Sequence, residues 1–308
     1  MNLANFFNVQ SKKNRKLDLG FTLIELIVVV AIFFIVIAAI FTTYTTQHHA
    51  AVVQSQVSDM QQNARIAMDF LAKEIRMAGF GMPPYAVNGF SNAITPVINN
   101  DTASGNNILN GTDVITIVTG YRQISTLKDA ANLDSSTITL VNNASQFNTT
   151  TKRYLCIDGA DQIDNYQVTE VDSVTNTLTL TPPLRRNYQA GAPVLLVKAI
   201  TYSISNDGFL TRNENTGGGA QPLAPNIEDL QFAYQLADDS WSNFPSDPTE
   251  IRAVRINVLA RTVHEDRDWR RGGLGRRPAI EDHPAGGATD GFRRRLLTSV
   301  VEVRNLGF

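Results

Sequence analysis

Only one cysteine, Cys156, occurs in 308 residues, so no intramolecular disulfide can form, whatever compartment the folded part occupies. It lies in the apolar run Tyr154-Leu155-Cys156-Ile157, the setting of a small buried hydrophobe. None of the four histidines (His48, His49, His264, His283) stands in a context that pairs it with this thiol as a base. Charge is scarce as well. Asp, Glu, Lys and Arg make up 18% of the chain and the net charge is −2, so nothing global marks a nucleic-acid or anionic-membrane partner. Any basic site is local. The sequence has no phosphate-cradling glycine loop, no nucleophile elbow and no His-x-x-x-His zinc spacing. A non-catalytic chain without cofactor or metal is therefore expected.

The longest absence is that of glycine and proline. Neither occurs from Phe21 to Ala78, and the stop then comes abruptly as Gly79-Phe80-Gly81-Met82-Pro83-Pro84. One helix of about 87 Å is implied at ~1.5 Å per residue. Its first part, from Phe21 to about Tyr44, includes the nearly unbroken apolar stretch Leu26–Phe41 and is long enough to cross a bilayer. Lys12, Lys13, Arg15 and Lys16, against Asp18, place the preceding leader in the cytoplasm. A cleaved secretory signal would end in small residues, whereas Thr42-Thr43-Tyr44-Thr45 follows here. An ordinary anchor has no use for Glu25, because a carboxylate costs ~2.5–3.5 kcal/mol at bilayer depth.

The run Gly20-Phe21-Thr22-Leu23-Ile24-Glu25 resembles the processing motif of type IV prepilins. The resemblance implies cleavage between Gly20 and Phe21 by a membrane prepilin peptidase, methylation of the new amine at Phe21, and a filament-assembly role for Glu25. The physics agrees with it. A charged terminus drawn into an apolar helix bundle needs a counter-charge, and a pair formed with a neighbouring subunit sets axial register.

Beyond the apolar half, Val53, Val57, Met60, Ala64, Ala67, Leu71, Ile75 and Ala78 recur at three- and four-residue steps, the stripe of a helix lying on a sheet. His48 and His49 point about 100° apart on a helix and cannot chelate one ion together. The segment Ala64–Phe80 is similar to the corresponding region of PilW-type minor pilins. The fold class expected is α+β and pilin-like: a long N-terminal helix, membrane-spanning in its first half, packed on an antiparallel β-rich head. The divisions are a leader at 1–20, a transmembrane and filament-core half at 21–44, an amphipathic half at 45–80, and a head at 81–308 with an Arg/Gly-rich insertion at about 264–292.

Within the head, β-prone runs lie at 113–119, 137–141, 154–157, 166–174, 177–180, 194–204, 209–212, 230–236, 253–262 and 296–303, with Asn176 in a tight hairpin turn. Ser91–Gly111 and Thr216–Ala220 read as linkers. Ile227–Tyr234, Ala253–Thr262, Asp290–Leu297 and Arg304-Asn305-Leu306 also resemble PilW-type segments, while Asn88 to Gln221 carries no resemblance. The missing cysteine pair and the large head set the chain apart from many major pilins and favour a minor subunit.

Two clusters invite chemistry. Asp158, Asp161 and Asp164 are spaced by three, which does not suit an EF-hand and reads as a turn. Arg270, Arg271, Arg276 and Arg277, interleaved with Trp269 and glycines and followed by Arg293-Arg294-Arg295, are a candidate polyanion contact with DNA as the partner, set against a solvated insertion neutralised by nearby acids. The reading as a whole is a PilW-like minor pilin of type IV pilus assembly, in the inner membrane with its C-terminal domain in the periplasm and later in the filament. Its partners would be prepilin peptidase, other minor and major pilins and, before assembly, inner-membrane lipid. The N-terminal physics is shared with type II secretion pseudopilins, and the arginine cluster leaves open a tip adhesin or DNA-binding subunit.

Overall fold

The computed structural model describes residues 22–83, 86–97 and 107–306. The chain divides into two compact units at Val53/Gln54. The first contains the start of α1 (Leu23–Arg76), and every described side chain from Thr22 to Val52 is exposed in it.

In the second unit α1 becomes amphipathic. Met60, Ala64, Ala67, Leu71 and Ile75 are buried, joined by Ala78 in the turn beyond, while Val57 is half-buried against the same core. The expected stripe is thus the buried face, and its alanines let the backbone come close to the sheets. The helix ends at Arg76, slightly before the expected glycine. Met77 and Ala78 donate to the carbonyls of Glu74 and Ile75, an i→i−3 tightening that precedes the turn. Gly81 then takes φ +61°, and a Cβ placed on it would lie 2.6 Å from the Cys156 Sγ. Only glycine fits this turn against the sheet.

Two antiparallel sheets complete the head. The larger comprises β1 (Ile94–Val97), β2 (Val114–Thr126), β3 (Thr137–Thr139), β4 (Tyr154–Asp158), β5 (Ile163–Asp172), β6 (Thr177–Thr181), β7 (Pro193–Ile204), β8 (Leu210–Asn213) and β9 (Ala220–Ala224). Its order is β1-β2-β7-β4-β5-β6-β3, with β8 and then β9 extending from β7. The smaller comprises β10 (Ile227–Gln235), β11 (Trp241–Ser242), β12 (Ala253–Arg261) and β13 (Arg294–Glu302), in the order β11-β10-β12-β13.

The main core joins the buried face of α1 to both sheets: Ile115, Ile117, Ile200 and Tyr202 from one, Phe232, Tyr234, Ile256 and Val258 from the other. A second core, around Leu140, Leu155, Tyr166, Leu178 and Leu196, lies within the larger sheet and its loops.

All ten expected strands exist, with shifted ends. The hairpin between β5 and β6 pairs Asp172 with Thr177, and Asn176 adopts φ 55° in its turn. Three further strands correct the sequence reading. The first, β1, crosses the expected linker Ser91–Gly111, whose residues 98–106 lie outside the described set. The second, β9, begins at Ala220, directly after the three glycines, and the third is the two-residue β11. Pairing with β2 and β8 gives β1 and β9 their structure, and neither has a strong hydrophobic alternation of its own.

Candidate functional site

Gly20 and Phe21 lie outside the described residues, so the first functional side chain described is that of Glu25. It closes a reciprocal pair with Thr22. The Thr22 N–H and hydroxyl each donate to Glu25 Oε2 at 2.8 Å, and the Glu25 N–H points back to Thr22 Oγ1 at 3.4 Å. The Thr22 carbonyl meanwhile accepts from Leu26 N–H at 3.2 Å. This is a capping box, which satisfies donors that a helix start otherwise leaves open. The Thr-x-x-Glu signal was present in the sequence and was absorbed into the cleavage motif.

After Glu25 no Asp, Glu, Lys or Arg occurs until Asp59. An 18-residue window here reaches a mean hydropathy of 3.3 with none of it buried. The hydroxyls that follow are satisfied internally: Thr42 donates to the Ala38 carbonyl at 2.7 Å, Thr43 to Ala39 at 3.0 Å, and Thr45 and Thr46 to Thr42 at 3.0 and 2.9 Å. Polar groups closed in this way need no water, which suits a helix passing from hydrocarbon to solvent.

In the head, the arginine-rich insertion is fastened to the outward face of the smaller sheet. Its short helix α2 (Arg267–Arg271) is capped by Asp266, which accepts from the N–H groups of Asp268 and Trp269. Arg293 grips the same carboxylate at 3.1 and 2.8 Å and lies over the Trp269 ring at 4.4 Å. Arg270 pairs with Glu265 at 3.0 Å and Arg271 approaches Asp268 at 4.0 Å, both well exposed. Arg276 donates to the Gly286 carbonyl at 2.6 Å. Arg277 turns inward, to the Pro284 carbonyl and to Asp229. Further along, Glu281 takes two bonds from Arg255 and one from Asn257. His283 Nδ1 lies 2.8 Å from Asp229 Oδ2.

Asp229 has no exposed surface, and burial raises its pKa against the opposing pull of Gln231, His283 and Arg277. Of the four candidate arginines, Arg276 and Arg277 are hydrogen-bonded within the insertion and Arg277 is tied into the fold, while Arg270 and Arg271 keep only exposed ion pairs. Asp229, His283 and Glu281 were missed in the sequence. Asp229 and Gln231 do alternate with Leu230, Phe232 and Tyr234, so their outward side was readable, but its cover comes from distant segments.

The family described as Prokaryotic N-terminal methylation motif matches residues 15–41. The family described as Type IV Pilus-assembly protein W matches residues 184–305. Residues near both ends of the chain are thus similar to type IV pilin families, with an N-terminal methylation motif at the start. No curated protein matches the chain. Among solved structures it is similar to a type IV-like pilin from Thermus thermophilus, at 13% identity and a TM-score of 0.37, covering 80% of this chain and 98% of that one.

The assembly-protein match begins at Leu184, so part of the stretch Asn88–Gln221, for which no resemblance was expected, lies within the family region. Of the aspartates 158, 161 and 164, the first and last serve the fold, while Asp161 is exposed. Asp158 accepts from the Ala160 N–H at 3.1 Å within the β4–β5 turn, and Asp164 binds the Tyr188 hydroxyl at 2.6 Å and Arg186 at 2.5 Å. Cys156 is fully buried, and burial, with Asp158 nearby, pushes its thiol up to about 12.

A further charged chain fastens the end of α1. Buried Glu74 meets Arg212 at 3.3 Å, Arg212 meets Glu214 at 2.8 Å, and Glu214 also pairs with Lys198. Arg212 and Lys198 both lie against the ring of Tyr121, at 4.7 and 4.8 Å. Burial raises the Glu74 pKa and lowers that of Lys198.

Proposed function

We propose that this chain is a minor, PilW-like subunit that takes part in assembly or priming of a type IV pilus as a non-catalytic component. In this reading prepilin peptidase cuts between Gly20 and Phe21, the Phe21 amine is methylated, and the chain sits as a single-pass inner-membrane protein with its head in the periplasm until it enters the filament. One observation carries the proposal. A capped carboxylate, Glu25, opens a helix with no other formal charge before Asp59 and with its apolar side chains exposed. Such a surface is stable only in lipid or against other helices of its kind. Other minor and major pilins are the fitting partners. Against a DNA role for the head stands the engagement of Arg277 by Asp229 and of Arg293 by Asp266.

Intact mass and N-terminal sequencing of the membrane-extracted protein test the reading. A chain beginning at Phe21 with one added methyl group is the expected result. A mature terminus at any other residue overturns it.

A further inference from the structure

Where β7 and β8 run side by side, Tyr202, Ile204 and Leu210 enter the core, and the alternate side chains face the other way. That opposite face forms the floor of an open groove of about 600 Å³, lined by Thr201, Ser203, Thr211 and Asn213, with Asp207 and Phe209 from the connecting turn. The volume falls in the range of small-ligand sites.

The floor is hydroxyl-rich and held in place. Thr201 Oγ1 lies 2.7 Å from Thr116 Oγ1 and accepts from Asn215 Nδ2 at 2.9 Å. Ser203 Oγ and Thr211 Oγ1 are 3.0 Å apart. Asn213 uses its carbonyl oxygen for the Asn215 N–H at 2.9 Å, which turns the amide into a fixed plane. The exposed Asp207 carboxylate has no hydrogen-bond or ion-pair partner among the described residues. Beside it Phe209 keeps 37% of its surface exposed.

Among the described residues no lysine or arginine lines the groove. Arg212, on the intervening strand position, is directed to Glu74 and Glu214. Phosphate, sulfate and carboxylate ligands would meet only Asp207, a like charge, without a counter-ion. The hydroxyls of Thr201, Ser203 and Thr211 are spent on protein partners and shape the floor, so what remains is a neutral ligand with hydroxyls for Asp207 and the Asn213 amide and with one apolar face. We infer that this groove binds a neutral saccharide, with the phenyl face of Phe209 under a sugar ring and Asp207 and Asn213 reading its hydroxyls.

The test uses the full-length protein in detergent on a panel of neutral, sialylated and sulfated glycans, followed by calorimetry with the best-retained neutral oligosaccharide. Retention of neutral glycans alone is expected, with binding little changed by salt. Asp207→Asn, at an exposed position, and Asn213→Asp, which keeps the oxygen that takes the Asn215 N–H but loses the amide donor, should weaken binding roughly tenfold or more, a loss equal to about 1.4 kcal/mol. The thermal midpoint of Asp207→Asn should match the parent, and Arg271→Ala, outside the groove, should bind as the parent does. The inference is overturned if no neutral glycan is retained, if sialylated or sulfated glycans bind better, or if the two groove variants bind unchanged.

Discussion

Arg277 Nη1 lies 2.9 Å from Asp229 Oδ2, joining residues 48 apart in sequence at a carboxylate with no exposed surface. The contact changes the character of the arginine-rich insertion. It is a strap over β10 and β12, held at Asp229 by Arg277 and His283 and at Glu281 by Arg255 and Asn257, with Arg270 and Arg271 left on its exposed side.

Arg277→Ala leaves a buried carboxylate short of its permanently charged partner, and breaking such a pair costs on the order of 3 kcal/mol. Urea unfolding, followed through the fluorescence of Trp241 and Trp269, should show that loss. The paired change Asp229→Leu with Arg277→Met should recover most of it, because the penalty lies in the orphaned charge. A single variant as stable as the parent would remove the strap from the account.

The acid sensitivity of the head has a readable sign at Asp266. Hydrogen bonds from Arg293 hold this carboxyl below the ordinary range, so the unfolded chain takes up the proton first as pH falls. The resulting stabilisation is fully present above the unfolded value of about 3.9 and is lost as pH drops through the folded one. Asp290, lowered by its bonds from Arg294 despite burial, acts in the same direction, while Asp229 and Glu74, raised by burial, act in the opposite one. Asp266→Asn should therefore lower the thermal midpoint at pH 7 yet show a shallower decline toward pH 3 than the parent. Parallel declines would refute the assignment.

The long helix and the ten strong strands were legible in the sequence because period and propensity agree there: the Val53–Ala78 stripe at helical spacing, and runs such as Val194–Ile204 rich in β-branched residues. Glu25 stood out because a carboxylate in an apolar run demands a reason. The roles of Asp229, Glu74 and Glu281 were not legible. Each is a buried or half-buried polar residue held by a partner distant in sequence, Arg277, Arg212 and Arg255 respectively, and no local pattern records that distance. The arginine cluster was legible only as charge for the same reason, since composition displays charges and hides their acceptors.

Gly81→Ala should destabilise the head by roughly 1–3 kcal/mol, combining a positive φ with a Cβ 2.6 Å from the Cys156 Sγ. Gly217→Ala, at φ 89° with nothing within 4 Å, meets only the backbone cost of about 1 kcal/mol. Adding Cys156→Ala to Gly81→Ala opens the space and should restore part of the loss, a coupling measurable in a double-mutant cycle. Strict additivity would show that the contact does not set the cost.

Cys156 should be inert to thiol reagents in the native protein at pH 8, since it is fully buried and its thiol is pushed up to about 12. One equivalent should appear on adding denaturant. Rapid labelling without denaturant would mean that the β4 region opens readily.

Glu25 offers the sharpest test of assembly, because its two roles separate by substitution. Its bonds to Thr22 act within one chain, and a Glu25→Gln side chain retains a carbonyl oxygen that can take them over. Neutralising a neighbour's terminal amine requires the charge itself. Both Glu25→Gln and Glu25→Ala should therefore still be cut at Phe21, and both should enter filaments roughly tenfold less well or worse, the factor that about 1.4 kcal/mol of lost pairing represents. Quantifying the subunit in sheared filaments against the membrane pool reads this directly. If Glu25→Gln assembles like the parent while Glu25→Ala does not, the capping bond to Thr22 is the function of this residue, and register is set elsewhere.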